Sequence, residues 1–119
     1  MAKRIAGTCY FKVNGQQLEL SGAAEAPMST KKREMLTSAT GVAGYKEEHR
    51  APFIKGKFFI PPGFPRATLD EADNMTITAE FANGEVYTLA GAVVVGEPSY
   101  NSEDGTAEYE FNGTHGVWQ

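Results

Sequence analysis

The sequence predicts a mainly β fold, an antiparallel β-sandwich or small barrel with one short helix. Three observations lead to this class. Short runs of alternating apolar and polar residues recur along the chain, Asn-Gly pairs follow several of these runs, and only one segment carries a helix-start signal. The length of 119 residues suits a single domain over residues 1–119.

Alternation on both sides of an Asn-Gly pair indicates the first hairpin. Its first run places Ile5, Cys9, Phe11 and Val13 on one face and Thr8, Tyr10 and Lys12 on the other. Asn14 and Gly15 suit a turn that needs positive φ, and Leu18 and Leu20 resume the alternation. We therefore expect a hairpin whose core face buries Cys9 as a small hydrophobic residue.

Residues 22–52 show no strand period, and we predict that they form long loops or hairpin arms. Their basic run, residues 31–33, is interpreted as solvated. A mixed-charge segment with an aromatic residue follows, a composition that suits the rim of a protein interface. The expected interface residues are Tyr45, Lys46, Glu47, Glu48, His49, Arg50 and Phe53. We expect this region to contact neighbouring subunits and to be poorly ordered in an isolated monomer.

One strand and one helix are predicted next. Residues 53–60 read as an apolar-rich strand that Pro61 ends. Thr68 and Glu71 have the spacing of a capping box, so we expect Thr68 to cap a short helix that ends near Asn74. Nearby acidic residues would then lie at the positive end of this helix.

The C-terminal half is predicted to be antiparallel. Its first run sets Met75, Ile77, Ala79 and Phe81 against Thr76, Thr78 and Glu80. Asn83 and Gly84 turn the chain into a strand over 85–89, and a further strand is expected from Ala92 towards Tyr100. The last run sets Ala107, Tyr109 and Phe111 against Thr106, Glu108 and Glu110.

Two strands carry more apolar surface than a one-layer core requires. Residues 92–95 are apolar on both faces, and so is most of the strand over 53–60. Either the sheet is covered on both sides within the monomer, or another subunit covers the second face. We favour the second interpretation for a chain of this size.

Charge is segregated along the chain. Residues 1–66 hold all eleven Lys and Arg and five acids, and residues 67–119 hold ten acids and no Lys or Arg. Either the fold interleaves the two halves, or a basic surface meets an acidic surface of a neighbouring copy. The net charge of −4 disfavours nucleic-acid binding, which depends on a basic footprint.

The sequence contains no recognisable catalytic or metal-binding constellation. Cys9 is the single cysteine, which excludes an intrachain disulfide and a thiolate cluster and fits a reducing compartment. His49 and His115 are not at ligand spacing, and no nucleophile-elbow or phosphate-loop motif is present. We therefore expect no enzyme activity, catalytic residue, metal or cofactor. The short apolar runs also predict neither a membrane span nor a secretory signal.

The order of several segments resembles the tail tube protein of Mu-like contractile-tailed bacteriophages. The segments are residues 44–48 leading into 51–54, the run 82–92, residues 95–98 and the strand 108–111. Each is weak alone, so the resemblance depends on their order and spacing over most of the chain. It departs at 58–66, where an apolar, proline-rich stretch replaces a more polar one.

The resemblance implies a subunit related in fold to type VI secretion tube proteins. Such subunits form hexameric rings that stack into a hollow tube inside a contractile sheath. The implied partners are further copies of the chain, the tail sheath, baseplate and tape-measure proteins, and DNA that passes through the lumen without specific binding. The implied location is the virion tail, after assembly from the host cytoplasm.

A ring-forming sheet would turn one face to the channel, and we assign the polar strand faces to it. The expected lumen residues are Thr76, Thr78, Glu80, Thr106, Glu108 and Glu110, a set without a basic residue. The alternative function is a monomeric β-sandwich module that binds a carbohydrate or a protein. It would use Tyr87, Tyr100 or Trp118 as an exposed aromatic platform.

Overall fold

The computed structural model describes residues 9–22 and 24–119, so Ile5 and Thr8 of the predicted first strand lie outside the described residues. In the described ranges the strands are β1 Tyr10–Val13, β2 Gln16–Leu18, β3 Lys31–Ser38, β4 Gly41–His49, β5 Phe53–Phe59, β6 Met75–Glu80, β7 Val86–Val95, β8 Tyr100–Asn101, β9 Thr106–Asn112 and β10 His115–Trp118. The helix α1 spans Arg66–Glu71.

Six strands form an antiparallel sheet that closes into a barrel. Their order is β2-β1-β6-β7-β9-β5, with β10 beside β7 and β8 beside β9. The chain after β2 then reaches β5, because Leu20 bridges Phe58 and Glu25 bridges Lys55. The amide of Phe59 also donates to the carbonyl of Glu19 over 3.0 Å. The predicted fold class, an antiparallel β-sandwich or barrel with one helix, is confirmed.

The first turn has the backbone that its sequence predicts. Asn14 and Gly15 both have positive φ, 49° and 85°, as a two-residue hairpin turn requires. The strands beside it bury Phe11 and Leu18. Cys9 is half-buried and packs against the core. Burial, with a smaller contribution from the charge of Glu80, raises the pKa of the Cys9 thiol.

One bent strand replaces the two strands predicted over 85–89 and from Ala92. β7 runs unbroken for ten residues, and Gly91 has a φ of 63° at a β-bulge, where two residues of β7, Ala90 and Gly91, lie opposite one residue of β6. The first half of β7 pairs with β6 and its last three residues pair with β9. The predicted continuation to Tyr100 is wrong, because β7 ends at Val95 and Gly96 turns the chain at a φ of 76°.

The predicted capping box is wrong. The helix begins one turn earlier, with Pro65 at the cap, no side-chain cap bond and Thr68 inside the first turn. Pro65 precedes the first helical residue, Arg66, and buried Leu69 anchors the helix to the barrel. The helix ends at Glu71 rather than near Asn74, which places the acidic residues at its C-terminal end.

Aromatic rings fill the barrel. Phe11 of β1 lies 4.7 Å from Phe58 of β5 and 5.9 Å from Phe111 of β9, measured between ring centroids. Tyr109 stacks on Phe111 at 5.9 Å. These strands are distant in sequence, so their rings connect opposite walls of the barrel.

Two adjacent phenylalanines test this core. Phe58 is fully buried, whereas Phe59 is 45% exposed on the other face of β5. We expect Phe58→Ala to lower the free energy of unfolding by about 3–5 kcal/mol, because it leaves a cavity among aromatic rings. Phe59→Ala is the matched control, with an expected loss below about 1 kcal/mol. Urea unfolding measures both, and equal losses would contradict the assigned faces.

Candidate assembly surfaces

A two-stranded hairpin projects from the barrel. β3 and β4 form a sheet of their own, and we call residues 31–49 the arm. Every arm residue in the two strands is exposed except Gly44, which is half-buried. The radius of gyration is 17.2 Å, against about 13–14 Å for a compact chain of this length. The arm therefore makes the molecule elongated, with extents of 60 × 44 × 29 Å.

The barrel wall supplies the base of the arm. The amide of Arg50 donates to the carbonyl of Thr30 over 2.9 Å, which closes the hairpin at its root. Before this point Glu25 is bridged to β5 and Pro27 is buried. Part of the region 22–52 thus belongs to the barrel, and the projecting portion is the arm.

The charged arm residues pair mainly with each other. Glu47 accepts a 2.8 Å hydrogen bond from the Arg33 guanidinium and lies 3.7 Å from the Lys31 ammonium. Lys46 lies 3.4 Å from Glu34 and 3.7 Å from Glu48. The bond from Arg33, followed by the nearby positive charges, lowers the pKa of Glu47. Much of the arm's charge is therefore balanced within the subunit.

The remaining expected interface residues, His49, Arg50 and Phe53, lie where the chain passes from the arm to the barrel. His49 is exposed at the end of β4, directly across from Lys31. Arg50 places its guanidinium 4.5 Å from the ring centre of Phe53, which is half-buried at the start of β5. A cation–π contact therefore connects the segment after the arm to the first strand of the barrel wall that follows it.

The arm carries apolar side chains that sequence reasoning missed. Met35, Leu36 and Val42 are 61%, 44% and 65% exposed, and the expected interface residue Tyr45 is 61% exposed. Met35 lies directly across from Tyr45 in the hairpin register. The signal in the sequence that could have identified these residues is the presence of apolar side chains inside a charged segment. The alternation of apolar and polar residues could not reveal this apolar group, because neither face of the arm packs on the core.

The polar strand faces lie outside the barrel, with one exception. Thr76, Glu108 and Glu110 are exposed, and Thr78 and Glu80 are half-buried. Thr106 is only 1% exposed, so its assignment to the lumen is wrong. Asn101 of β8 pairs beside Thr106, and the threonine hydroxyl has no hydrogen-bond partner in the described structure. The short strand β8 could not be foreseen from the alternation.

Two lysines of β5 share this outer face with the expected lumen residues. Lys55 lies opposite Glu110, and Lys57 lies opposite Glu108. The cause is antiparallel pairing of β5, from the basic half of the chain, with β9, from the acidic half. In this part of the molecule the charge segregation is interleaved within one subunit.

The predicted lumen residues do not form one compact patch. Glu80 pairs with Val86 at the start of β7, whereas Glu110 pairs with Val95 at its end. A strand rises about 3.3 Å per residue, so these carboxylates are separated by about 30 Å of strand. Any channel wall that contains both must extend along the whole of β7.

The family model for phage tail tube proteins matches residues 2–118. The chain belongs to the phage tail tube protein family. The resemblance seen in the sequence is therefore confirmed. No curated protein sequence matches this chain.

Solved structures show the same fold in contractile injection systems. The PVC sheath–tube complex in its extended state contains a chain with a TM-score of 0.63 and 11% identity, covering 99% of this chain and 91% of that chain. The anti-feeding prophage tube-terminating cap gives a TM-score of 0.64 and 13% identity, with 100% and 93% covered. Hcp1 from Flavobacterium johnsoniae gives 0.60 and 13%, with 92% and 93% covered. The predicted relation in fold to type VI tube proteins is confirmed.

The three aromatic residues named for the alternative function differ in exposure in this tail tube protein. Tyr87 is 2% exposed, and burial raises the pKa of its hydroxyl. Trp118 packs on Tyr87 and donates its indole N–H to the carbonyl of Pro27 over 2.8 Å. Trp118 is 36% exposed, and Tyr100 is 58% exposed.

Within residues 9–22 and 24–119, no three or more His, Cys, Asp or Glu side chains are grouped so that they could hold a metal ion, and no helix is long and apolar enough to cross a membrane.

The Arg33–Glu47 pair on the arm predicts a measurable pKa change. The lowered pKa of Glu47 means that the pair stabilises the arm above the carboxyl's ordinary pKa and that this contribution is lost as pH falls through the lowered value. We expect Arg33→Gln to raise the pKa of Glu47 towards its ordinary value, as measured by NMR titration of the side-chain carboxyl. Lys32→Gln is the control, since Lys32 lies on the opposite face of β3. An equal shift in both variants would contradict the pairing.

Proposed function

We propose that this chain is the repeating structural subunit of a phage tail tube. In this proposal six copies form a ring, rings stack into a hollow tube, and viral DNA passes through the lumen. Membership of the tail tube family supports a tube subunit, and sheath–tube assemblies contain chains of the same fold. The observation that carries the proposal is the arm, with its exposed apolar group and internally paired charges.

The arm has the reach and chemistry of an assembly element. Nine residues of β4 correspond to about 30 Å of strand, and the arm forms a sheet separate from the barrel. Met35, Leu36, Val42 and Tyr45 place apolar area in water unless a partner covers it. Because most arm charges are already paired, a neighbouring copy can cover this area without leaving many charges unpaired.

The interface proposal retains Tyr45, Lys46, Glu47, Glu48, His49, Arg50 and Phe53, with three apolar residues added. Tyr45 lies directly across from Met35, and the charged members follow it along β4 and past its end. The outward faces of the tube would meet the sheath, and its ends would meet baseplate and tape-measure proteins. The subunit acts by shape and self-association rather than by catalysis, and the assembled tube resides in the virion tail.

The lumen proposal retains Thr76, Thr78, Glu80, Glu108 and Glu110. These residues lie on the outer face of the barrel, where a ring of copies could turn them inward. In the described residues Lys55 and Lys57 pair with Glu25 and Asp104. The two glutamates of β9 thus remain available to repel phosphates, which favours passage of DNA over its retention.

Replacing the arm tests the function. We expect a variant with residues 31–49 replaced by a short Gly-Ser turn to remain a folded monomer, because the barrel core and its closure are untouched. Negative-stain images should show tubes for the wild type and none for this variant. A melting curve close to that of the wild type verifies the barrel.

A milder variant serves as the matched comparison. Met35→Ser with Tyr45→Ser removes apolar area and keeps every arm charge, whereas Thr37→Ala changes one exposed polar side chain of β3. The double variant should lose tubes and Thr37→Ala should keep them. Normal tubes from the arm-replaced chain would refute the proposed role of the arm.

Charge reversal tests the lumen. Changing Glu80, Glu108 and Glu110 to Lys should permit tubes but slow genome ejection, since each lysine can hold phosphates. Changing Asp70, Glu71 and Asp73 to Lys makes the same net charge change at and just after α1 and is the control. The rate of genome ejection from assembled phage is measured for both variants. Normal ejection from the first variant, or equal slowing in both, would exclude this face as the lumen wall.

A further inference from the structure

The C-terminal segment, residues 113–118, contacts both sides of the arm's root. The indole N–H of Trp118 donates to the carbonyl of Pro27 over 2.8 Å, across 91 positions of sequence. The amide of Gly113, just before β10, donates to the carbonyl of Pro52 over 3.0 Å. Pro27 precedes the arm by four residues, and Pro52 follows it by three. The chain therefore enters and leaves the arm through two anchored prolines.

Trp118 is itself fixed to the barrel. Its ring centre lies 4.9 Å from that of Tyr87 and 5.7 Å from that of Phe81. β10 pairs with β7 up to Trp118, and the amide of Gln119 donates to the carbonyl of Val86 over 2.8 Å. Two ring contacts and the pairing of β10 with β7 fix the indole of Trp118. Its N–H therefore fixes the position of the carbonyl that accepts from it, that of Pro27.

Gly116 allows β10 to lie this close to the arm's root. A Cβ atom at position 116 would collide with the hydroxyl of Tyr87 and would come within 3.0 Å of the Cβ of Pro52. Glycine therefore permits contact among the last strand, the barrel wall and the segment that leaves the arm. Proline at each anchor fixes one backbone angle and reduces the rotation available at the root.

The arm amplifies any rotation at its root. Nine residues of β4 give a lever of about 30 Å, so a rotation of about 10° displaces the tip by about 5 Å. Interfaces with native complementarity require contacts placed more closely than this. A root that fixes the arm's direction would also lower the entropy lost on association.

We propose that Trp118 is a positioning residue that fixes the direction in which the arm leaves the barrel. Its indole donor and its ring contacts tie the root to the barrel wall, so that the arm is oriented before it meets a neighbouring copy. The consequence for assembly rests on the function proposed above. The positioning itself is a property of the single subunit and can be measured there.

Pulsed electron paramagnetic resonance measures the arm's direction. Spin labels at Ala39→Cys, at the arm tip, and at Glu103→Cys, on the barrel, in a Cys9→Ser background report one distance within the subunit. Labelled chains are diluted into unlabelled chains of the same variant, so only intramolecular distances contribute. We expect Trp118→Phe to widen the distance distribution by about 5 Å, the displacement of a root rotation of about 10°.

Two further variants keep the test decisive. Replacing Trp118 with benzothienylalanine removes the N–H donor while preserving the shape of the indole, so folding is maintained and the distribution should still widen. Val117→Ala is the matched control, because Val117 is 39% exposed and neighbours Trp118 on the same strand. It should keep the wild-type width.

Each outcome bears on one proposal. Wild-type width in both Trp118 variants, or equal widening in Val117→Ala, overturns the positioning role. Widening confined to the Trp118 variants supports it, whether or not tubes form. Failure of the proposed function would appear elsewhere, as normal tubes from the chain that lacks the arm.

Discussion

The bend in β7 at Gly91 is the constraint on which the remaining structure depends. Its positive φ of 63° lets one strand pair with β6 over its first half and with β9 at its end. The sheet can therefore turn around the core until Leu20 meets Phe58 and the barrel closes. Closure satisfies backbone groups that an open sheet would leave at its edges, and it encloses the aromatic core.

The barrel and the arm are stabilised by different means. The barrel buries Phe11, Phe58 and Phe111, whereas the arm has cross-strand hydrogen bonds and exposed ion pairs, which individually contribute little in water. The arm is thus a structure whose burial is incomplete in one subunit. Association of copies would bury the exposed apolar side chains of the arm, as the function proposed for a tail tube subunit requires.

The structure agrees with the sequence-based predictions where interactions between neighbouring residues determine the conformation. Period two assigned the buried faces of β6 and most of β9, and Asn14-Gly15 formed the expected turn, because both depend on adjacent residues. The Thr68 capping box failed although its spacing was correct. Pro65 and the burial of Leu69 supported an earlier start, and a helix start depends on the residues that precede it and on the wall it packs against.

The candidate assembly surfaces could likewise be predicted only in part from the sequence. The mixed charge and aromatic residue of the segment after residue 44 predict an interface, a prediction that the function proposed above retains. The apolar side chain of Met35 on β3 joins this segment only through the hairpin register, which places it beside Tyr45. The buried hydroxyl of Thr106 likewise depends on β8, a two-residue strand that has no periodic signal.

The sequence by itself determined the β class, the turns, the alternation of faces and the segregation of charge. It also carried the order of segments that resembles a tail tube protein, and the model of that family matches residues 2–118. Only the tertiary structure decided which strands are neighbours. That pairing sets Lys55 beside Glu110 and brings Trp118 to Pro27. The physical reason is that local spacing controls the conformation of a segment, whereas contacts between distant segments depend on how the whole sheet closes.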